Sequence, residues 1–189
     1  AILEDSRATS VFVSHELASV ILPALQDNTN IKTTVVIGGA PLDGVSSFDT
    51  FMQGATPQSA IVSSQDETAF WLYSSGSPGQ PKGVRHVHAA LKATADTYGD
   101  HVLRITQDDV IFSAAKLFFA YGLGNGMTFP MSVGATTILF NGRPTPETVC
   151  DVLDRTKPTI FCGVPTLFAA LVHHFETTPQ PNAPLRRCI

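Results

Sequence analysis

The sequence carries little charge, and its charges form no cluster. Only 15% of the 189 residues are charged, and the formal net charge is −4. Nucleic acids and anionic membranes attract surfaces on which lysine and arginine are concentrated, and this sequence has no such concentration. The composition therefore predicts no nucleic-acid partner and no membrane partner. So low a charge also indicates that part of the apolar surface is covered by something else.

Cysteine is scarce as well. There are three, Cys150, Cys162 and Cys188. An odd number at such wide spacing is typical neither of a disulfide framework nor of a zinc site. We expect reduced, mostly buried thiols and hence a cytoplasmic protein, because disulfides persist mainly in oxidising compartments.

The sequence also lacks a signal peptide pattern at its start. One long uncharged stretch, between Lys116 and Arg143, has the length of a membrane span, but it contains Asn125, Pro130 and several glycines. These residues favour a buried helix that turns at Gly134 into a buried strand.

Short apolar strands alternate with helical patterns along the chain. Residues 11–37 have the order strand, helix, strand, with Ser14 as the predicted N-cap, and this order favours a parallel pair with a right-handed crossover. The alternation predicts an α/β fold, doubly wound, with mostly parallel sheets and flanking helices. The predicted strands are 11–14, 33–37, 69–73, 83–87, 109–113, 135–140, 159–162 and 185–189. The predicted helices are 15–26, 47–53, 89–104, 118–131, 144–156 and 165–175.

Both ends of the sequence are typical of the interior of a longer chain. Residues 1–7 lack an initiator methionine, and residues 185–189 begin an apolar run that stops. We expect the chain to be a piece of a longer polypeptide.

A loop rich in glycine and hydroxyl groups follows the apolar run 69–72. It extends from Tyr73 to Val84 and contains one lysine, Lys82. Glycines let backbone N–H groups approach phosphate oxygens, hydroxyls donate hydrogen bonds, and lysine supplies positive charge. The P-loop of nucleotide triphosphatases is excluded, because Pro81 and Gly83 flank this lysine where that motif needs glycine and a hydroxyl residue. A surface loop without chemistry is the alternative.

The segment Tyr73–Gly83 resembles the phosphate-binding signature of the adenylate-forming enzymes, which include acyl- and aryl-CoA synthetases, luciferases and nonribosomal peptide adenylation domains. The family usually has a hydroxyl residue where this chain has Pro78. Proline has neither a side-chain donor nor a backbone N–H, so a phosphate contact made by that residue elsewhere is missing here.

A second segment, residues 113–125, resembles the acyl-pocket segment of benzoate–CoA ligases and related aryl-CoA ligases. Many acyl-CoA synthetases have a histidine here, whereas this chain has Phe118, Phe119 and Tyr121. Flat apolar faces and one phenol hydroxyl suit an aromatic ring, although ordinary core packing is the alternative. The resemblance implies that the aryl pocket is lined by Ala120, Tyr121 and Gly122.

The resemblance covers nearly all of the chain and implies a partial N-terminal domain, residues 1–189, truncated at both ends. It continues through residues 142–146, 157–159 and 163–166, and residues 185–189 look like the strand that leads into the family's adenine loop. That loop, the magnesium-binding motif, the ribose-binding aspartate and the C-terminal lid domain with its catalytic lysine are not in this sequence. We therefore expect no catalytic residue among these 189 residues.

The implied reaction activates a benzoate-like carboxylate with ATP and Mg²⁺ to an acyl-adenylate, and coenzyme A then takes the acyl group as a thioester. This chemistry depends on positioning and charge neutralisation, so no catalytic triad is expected. The resemblance implies that Lys82 neutralises the β- and γ-phosphates or anchors the loop. The other implied phosphate-binding residues are Ser74, Ser75, Gly76, Ser77 and Gly79.

Several partner and site questions stay open at this point. Lys116 is a candidate second cation near the carboxylate, with a structural role as the alternative. His86 and His88 are two ligands at most, so no metal site is predicted. The expected partners are an aromatic carboxylate, ATP, CoA and the remainder of the chain, and a homodimer is left open. A catalytically inactive fragment that only binds phosphate or aryl groups, or only serves as a scaffold, is the alternative to an enzyme.

Overall fold

A computed structural model of the chain describes residues 2–74 and 79–189. It divides into two compact units, the first made of residues before Ser64 with those of Tyr73–Arg85, the second of Ser64–Leu72 and His86–Ile189. The strands are β1 Ser10–Ser14, β2 Thr33–Ile37, β3 Ser46–Ser47, β4 Thr68–Ser74, β5 Lys82–Val87, β6 Val110–Ser113, β7 Thr136–Ile138, β8 Ile160–Cys162 and β9 Arg187–Cys188. The helices are α1 Ile2–Asp5, α2 His15–Leu25, α3 Phe48–Met52, α4 His88–Thr94, α5 Ala120–Leu123, α6 Phe129–Val133, α7 Pro146–Thr156 and α8 Pro165–His174, with π-helical segments at Ala95–Leu103 and Gly124–Thr128.

The first unit holds a parallel sheet in the order β1-β2-β3. Helix α2 connects the first two strands, and Val13, Ala18 and Val36 form the core of this unit. The predicted strand–helix–strand unit with parallel strands is therefore confirmed. Ser14 is the N-cap residue of α2, as predicted, although its side chain makes no capping hydrogen bond. The hydroxyl of Ser47 caps α3 instead, accepting from the Thr50 N–H at 3.1 Å.

The second unit holds a four-stranded parallel sheet in the order β7-β6-β8-β9. Successive residues of a strand face opposite sides of a sheet, and helices cover both sides here. Phe112 and Phe161 stack with ring centroids 5.5 Å apart and pack on the side of α7 and α8. Ile111 and Ile160 pack on the other side, with the first π-helical segment and α6. The predicted α/β fold with parallel sheets and flanking helices is confirmed.

The chain winds outward from β6 in both directions. The strand after it in sequence, β7, lies on one side, and the next strand, β8, lies on the other. In open α/β sheets, ligands bind beyond the carboxyl ends of the strands at the point where the winding direction reverses. That point lies here between the ends of β6, at Ser113, and β8, at Cys162.

Two predicted helices are interrupted. Residues 89–104 form α4 and then a π-helical segment, and residues 118–131 form α5, a second π-helical segment and α6. Helix α5 begins at Ala120 rather than at Phe118, because Phe119 has an extended backbone with φ −90° and ψ 143°. No helix in the described part of the chain is long and apolar enough to cross a lipid bilayer.

A buried carboxylate lies just before β6. Asp109 accepts from Arg186 Nε at 2.8 Å, from Arg186 Nη2 at 2.5 Å and from Thr159 Oγ1 at 2.6 Å. The Arg186 hydrogen bond is the main cause that holds the pKa of Asp109 well below its usual range. The cluster joins the chain just before β9 to the segments just before β6 and β8.

The three cysteines are free thiols. Cys162 is fully buried in β8, and burial raises its pKa to about 12. Cys150 is half-buried, whereas Cys188 is exposed, so the expectation of mostly buried thiols is wrong for Cys188. Its position on β9, the outermost strand of the described sheet, leaves that side chain open to solvent.

Candidate functional site

The predicted phosphate-binding residues run in sequence from the end of β4 to the start of β5. These two strands pair in a two-stranded sheet. Ser74 ends β4 and Lys82 begins β5, so these two side chains lie at the same end of that sheet. Both are exposed, as is Gly79. Among residues 2–74 and 79–189, no carboxylate pairs with the Lys82 ammonium group. Ser75, Gly76, Ser77 and Pro78 lie outside the described residues.

One contact that sequence reasoning missed holds the strand from which this loop departs. The Tyr73 hydroxyl donates to Asp5 Oδ2 at 2.6 Å. This hydrogen bond is the main reason why the pKa of Tyr73 is raised to about 12. It ties the end of β4 to α1 within the first unit, across a sequence separation of 68 residues.

His86 lies on β5 and His88 begins α4, and the two residues make different contacts. The His86 ring stacks on Phe70, with centroids 5.0 Å apart and planes 8° apart. The backbone N–H of His88 donates to Glu67 O at 3.1 Å, at the start of α4. In the described ranges, no group of three or more histidine, cysteine, aspartate or glutamate side chains is arranged to hold a metal ion.

The predicted aryl segment lies at the carboxyl edge of the second unit's sheet. Ala114 N–H donates to Cys162 O at 2.9 Å and extends the contact between β6 and β8 by one residue. The chain then turns, and Tyr121 Oη lies 2.6 Å from Ile189 O and 3.1 Å from Gly163 O. Tyr121 thus lies over the ends of β8 and β9, beside the reversal point. Burial raises the pKa of Tyr121, so the phenol stays protonated and can donate to these carbonyls.

Gly122 is buried where the chain doubles back on itself. A Cβ atom at this position would overlap the Lys116 carbonyl oxygen and lie 2.8 Å from Ala115 O. Both atoms belong to the backbone and cannot move aside cheaply, so only glycine fits. The glycine allows Tyr121 to be held close above the preceding turn.

Asn125 is a buried polar residue that sequence reasoning did not select. Its Nδ2 donates to Tyr121 O at 3.0 Å, and its Oδ1 has no hydrogen-bond partner among the described residues. It lies in the second π-helical segment, a distortion that is frequent at functional sites. Its position between Gly124 and Gly126 was the available signal, because a polar residue in an apolar helix needs a partner.

The aromatic residues before α5 do not enter the core. Phe118 is 71% exposed and Phe119 is 58% exposed, and their ring centroids lie 4.4 Å apart. Ala120 is also exposed. The alternative of ordinary core packing is therefore wrong for these residues in the described chain. The helix predicted at residues 118–131 was expected to be buried, but its first three residues are exposed.

Lys116 does not present a free cation. Its Nζ donates to the carbonyl oxygens of Phe140, Asn141 and Gly142 at 2.7, 3.0 and 2.8 Å. An ammonium group has three donors, and all three are used. The geometry favours the structural role over direct contact with a substrate carboxylate.

Comparison of the chain with known proteins identifies its family. The family model for the AMP-binding enzymes matches residues 1–189. The chain is 44% identical to a benzoate–CoA ligase of Thauera aromatica, over 98% of the chain and 35% of that protein. It is 42% identical to a 4-hydroxybenzoate–CoA/benzoate–CoA ligase of Rhodopseudomonas palustris, over 100% of the chain and 35% of that protein.

Among solved structures, the chain matches an anthranilate CoA ligase in complex with anthranoyl-AMP. The TM-score is 0.93 at 35% identity, over 99% of this chain and 36% of that one. The chain thus spans about a third of the length of the relatives it matches, as the 35% coverage of each shows. The match of the family model to every residue shows that the chain belongs to the AMP-binding enzyme family.

Proposed function

We propose that the full-length protein is an AMP-forming acid–thiol ligase that activates a benzoate-like carboxylate. The carboxylate oxygen attacks the α-phosphorus of ATP, supplied as its magnesium complex, and pyrophosphate leaves. The thiolate of coenzyme A then attacks the acyl carbon, and AMP leaves with the electron pair of the broken C–O bond. The products are an aryl-CoA thioester, AMP and pyrophosphate.

The observation that carries this proposal is the position of Tyr121 and Gly122. They lie at the carboxyl edge of the parallel sheet, where the winding direction reverses, and such edges are the usual ligand sites of open α/β sheets. Next to them, the faces of Phe118 and Phe119 are exposed. Ala120, Tyr121 and Gly122 form one wall of an aryl pocket in this proposal. The matched relatives are named for benzoate, 4-hydroxybenzoate and anthranilate, which are all benzoates with small or no ring substituents.

In the same proposal, the loop between β4 and β5 binds the phosphates of ATP. Ser74, Ser75, Gly76, Ser77 and Gly79 contact the β- and γ-phosphates, and Lys82 neutralises their charge. Binding and orientation are the contributions of this chain, which is part of a larger N-terminal domain and holds no catalytic residue of its own. A cytoplasmic location is part of this proposal, and the three free thiols support it, because disulfides are rare in that compartment.

The test is pyrophosphate exchange into ATP by the full-length protein. Exchange that depends on benzoate, with weak exchange for acetate and for a long-chain fatty acid, is the expected result. Benzoate, 4-hydroxybenzoate and anthranilate compared side by side then rank the ring substituents. Exchange that is independent of the aromatic acid, or exchange with acetate as fast as with benzoate, overturns the proposal.

Removing the charge of Lys82 tests the phosphate site. In the full-length protein, Lys82→Met is expected to raise the KM for ATP by about tenfold or more, because a charge-assisted hydrogen bond contributes roughly 1.5–3 kcal/mol. The KM for benzoate is expected to stay within about twofold, since the carboxylic acid does not contact this group. Lys32→Met is the matched control, because Lys32 is exposed in the same unit and its side-chain Nζ donates to a backbone carbonyl, Thr29 O, at 2.9 Å. An unchanged KM for ATP in Lys82→Met removes this residue from the phosphate site.

A further inference from the structure

Lys116 joins two loops at the carboxyl edge of the second unit's sheet. The residue follows β6 by three positions, and its three acceptors, Phe140, Asn141 and Gly142, follow β7. Its Nζ also lies 5.3 Å from the centroid of the Phe140 ring, within the range of a cation–π contact. The described residues offer it no carboxylate partner. The Lys116 ammonium group therefore satisfies three backbone carbonyl groups that point toward it from one turn.

The same segment is fastened a second time on its other side. Tyr121, five residues after Lys116, reaches Gly163 O beyond β8 and Ile189 O beyond β9. Between the two contacts, the Lys116 carbonyl oxygen fills the space in which a Gly122 side chain would lie. The loop after β6 is thus bonded at Lys116 to the segment after β7 and at Tyr121 to the segments after β8 and β9. The backbone of Lys116 also packs directly against Gly122.

The geometry points to Lys116 as a positioning residue for the aryl substrate. We propose that its ammonium group fixes the wall formed by Ala120, Tyr121 and Gly122 by tying this wall to the turn at residues 140–142. This inference rests on the proposed function for the identity of the substrate. Displacement of a binding wall by about 1 Å can cost a hundredfold in rate. Because the contacts of Lys116 lie in the loops after β6 and β7, next to Gly122, the inferred effect is on the aryl substrate rather than on ATP.

Kinetics of Lys116→Met in the full-length protein test the inference. Methionine keeps the length of the side chain and removes its charge and its donors. We expect the KM for benzoate in pyrophosphate exchange to rise at least about tenfold, while the KM for ATP stays within about twofold. Lys116→Arg keeps the charge and the donors and is expected to recover much of the benzoate KM. Equal increases of both KM values, or an unchanged KM for benzoate, overturn the inference.

Lys157 provides a matched control at the opposite edge of the sheet. It precedes β8, and its Nζ donates to Asn182 O at 2.6 Å and lies 3.3 Å from Asp154 Oδ1. Lys157→Met therefore also removes a lysine that ties a loop, but far along the strand from the wall. We expect both KM values of this variant to remain unchanged. A rise of the benzoate KM as large as that in Lys116→Met shows a merely structural effect and overturns the inference.

A measurement that needs no substrate separates this inference from the proposed function. In hydrogen–deuterium exchange, Lys116→Met is expected to lose protection at residues 114–123 and 139–143, and Lys157→Met is not. If the wild-type protein shows no benzoate-dependent exchange of pyrophosphate, the proposed function fails while this result still reports on the tie. If Lys116→Met does not accumulate in folded form, Lys116→Gln, which keeps two donors without charge, is measured in its place. Unchanged protection of both segments overturns the inference.

Discussion

Asp109→Asn is expected to lower the free energy of unfolding by about 3 kcal/mol, the lower end of the range for breaking a buried ion pair. The lower end applies because the Arg186 side chain is 36% exposed and water can replace part of its lost contact. The change leaves this guanidinium group without its carboxylate and weakens the hydrogen bond from Thr159 Oγ1. Urea unfolding of the full-length protein at neutral pH measures the loss.

Asp108→Asn is the matched control for this prediction. Asp108 is the exposed neighbour of Asp109, so the same chemical change there is expected to alter the free energy of unfolding by less than about 0.5 kcal/mol. Equal losses for the two variants would show that the buried network contributes nothing specific.

The pKa of Asp109 adds a pH dependence with a definite sign. Its pKa in the folded protein is held well below the value of about 3.9 expected in the unfolded chain. The carboxylate therefore contributes its full stability above about pH 4, and this contribution is lost as the pH falls toward the folded pKa. The stability gap between wild type and Asp109→Asn is expected to narrow by roughly 1 kcal/mol between pH 7 and pH 3. A gap that widens on acidification contradicts this account.

Under the proposed function, Gly122→Ala is the substitution with the largest expected effect on activity toward the aromatic acid. The new Cβ atom would overlap the Lys116 carbonyl oxygen, so either the turn at Lys116 or the helix α5 must move. Either movement displaces Tyr121 from Gly163 O and Ile189 O. We expect kcat/KM for benzoate to fall about a hundredfold, as a displacement near 1 Å can produce. Steady-state pyrophosphate exchange with the full-length protein measures the effect.

Gly99→Ala is the control for this substitution. Gly99 is also buried in a helical segment of the second unit, but a Cβ there would lie 3.4 Å from the Phe129 side chain, an ordinary contact distance. We expect kcat/KM for benzoate to be unchanged in this variant. A fall in both variants, or in neither, would mean that the close approach at Gly122 does not shape the proposed aryl site.

Local sequence patterns predicted the elements of the fold because those patterns reflect neighbours in the chain. The apolar run at β6 and the helical pattern predicted at residues 144–156 correspond to elements within one or two residues of the predicted bounds. The start of α5 was harder to predict, because Phe118 and Phe119 have the composition of a helix but an extended backbone that exposes them. Their place is decided by the turn at Lys116, not by local propensity.

The buried polar contacts could not be predicted in the same way. Asp109 and Arg186 are 77 residues apart, and Tyr73 and Asp5 are 68 apart, so no periodic pattern connects them. The three carbonyl acceptors of Lys116 are backbone atoms, which have no signature in the sequence at all. Sequence reasoning could name Lys116 as a candidate cation but could not say what it would bind.

The sequence by itself determined the alternation of strands and helices, the two motifs and the family, because each depends on residues that are close together in the chain. Only the tertiary structure decided that the strand order reverses between β6 and β8, which brings the end of β8 to Tyr121. It also decided that Lys116 is saturated by main-chain carbonyls. Strand order and long-range hydrogen bonds follow from how the whole sheet buries its two faces, and a pattern of neighbouring residues does not contain that information.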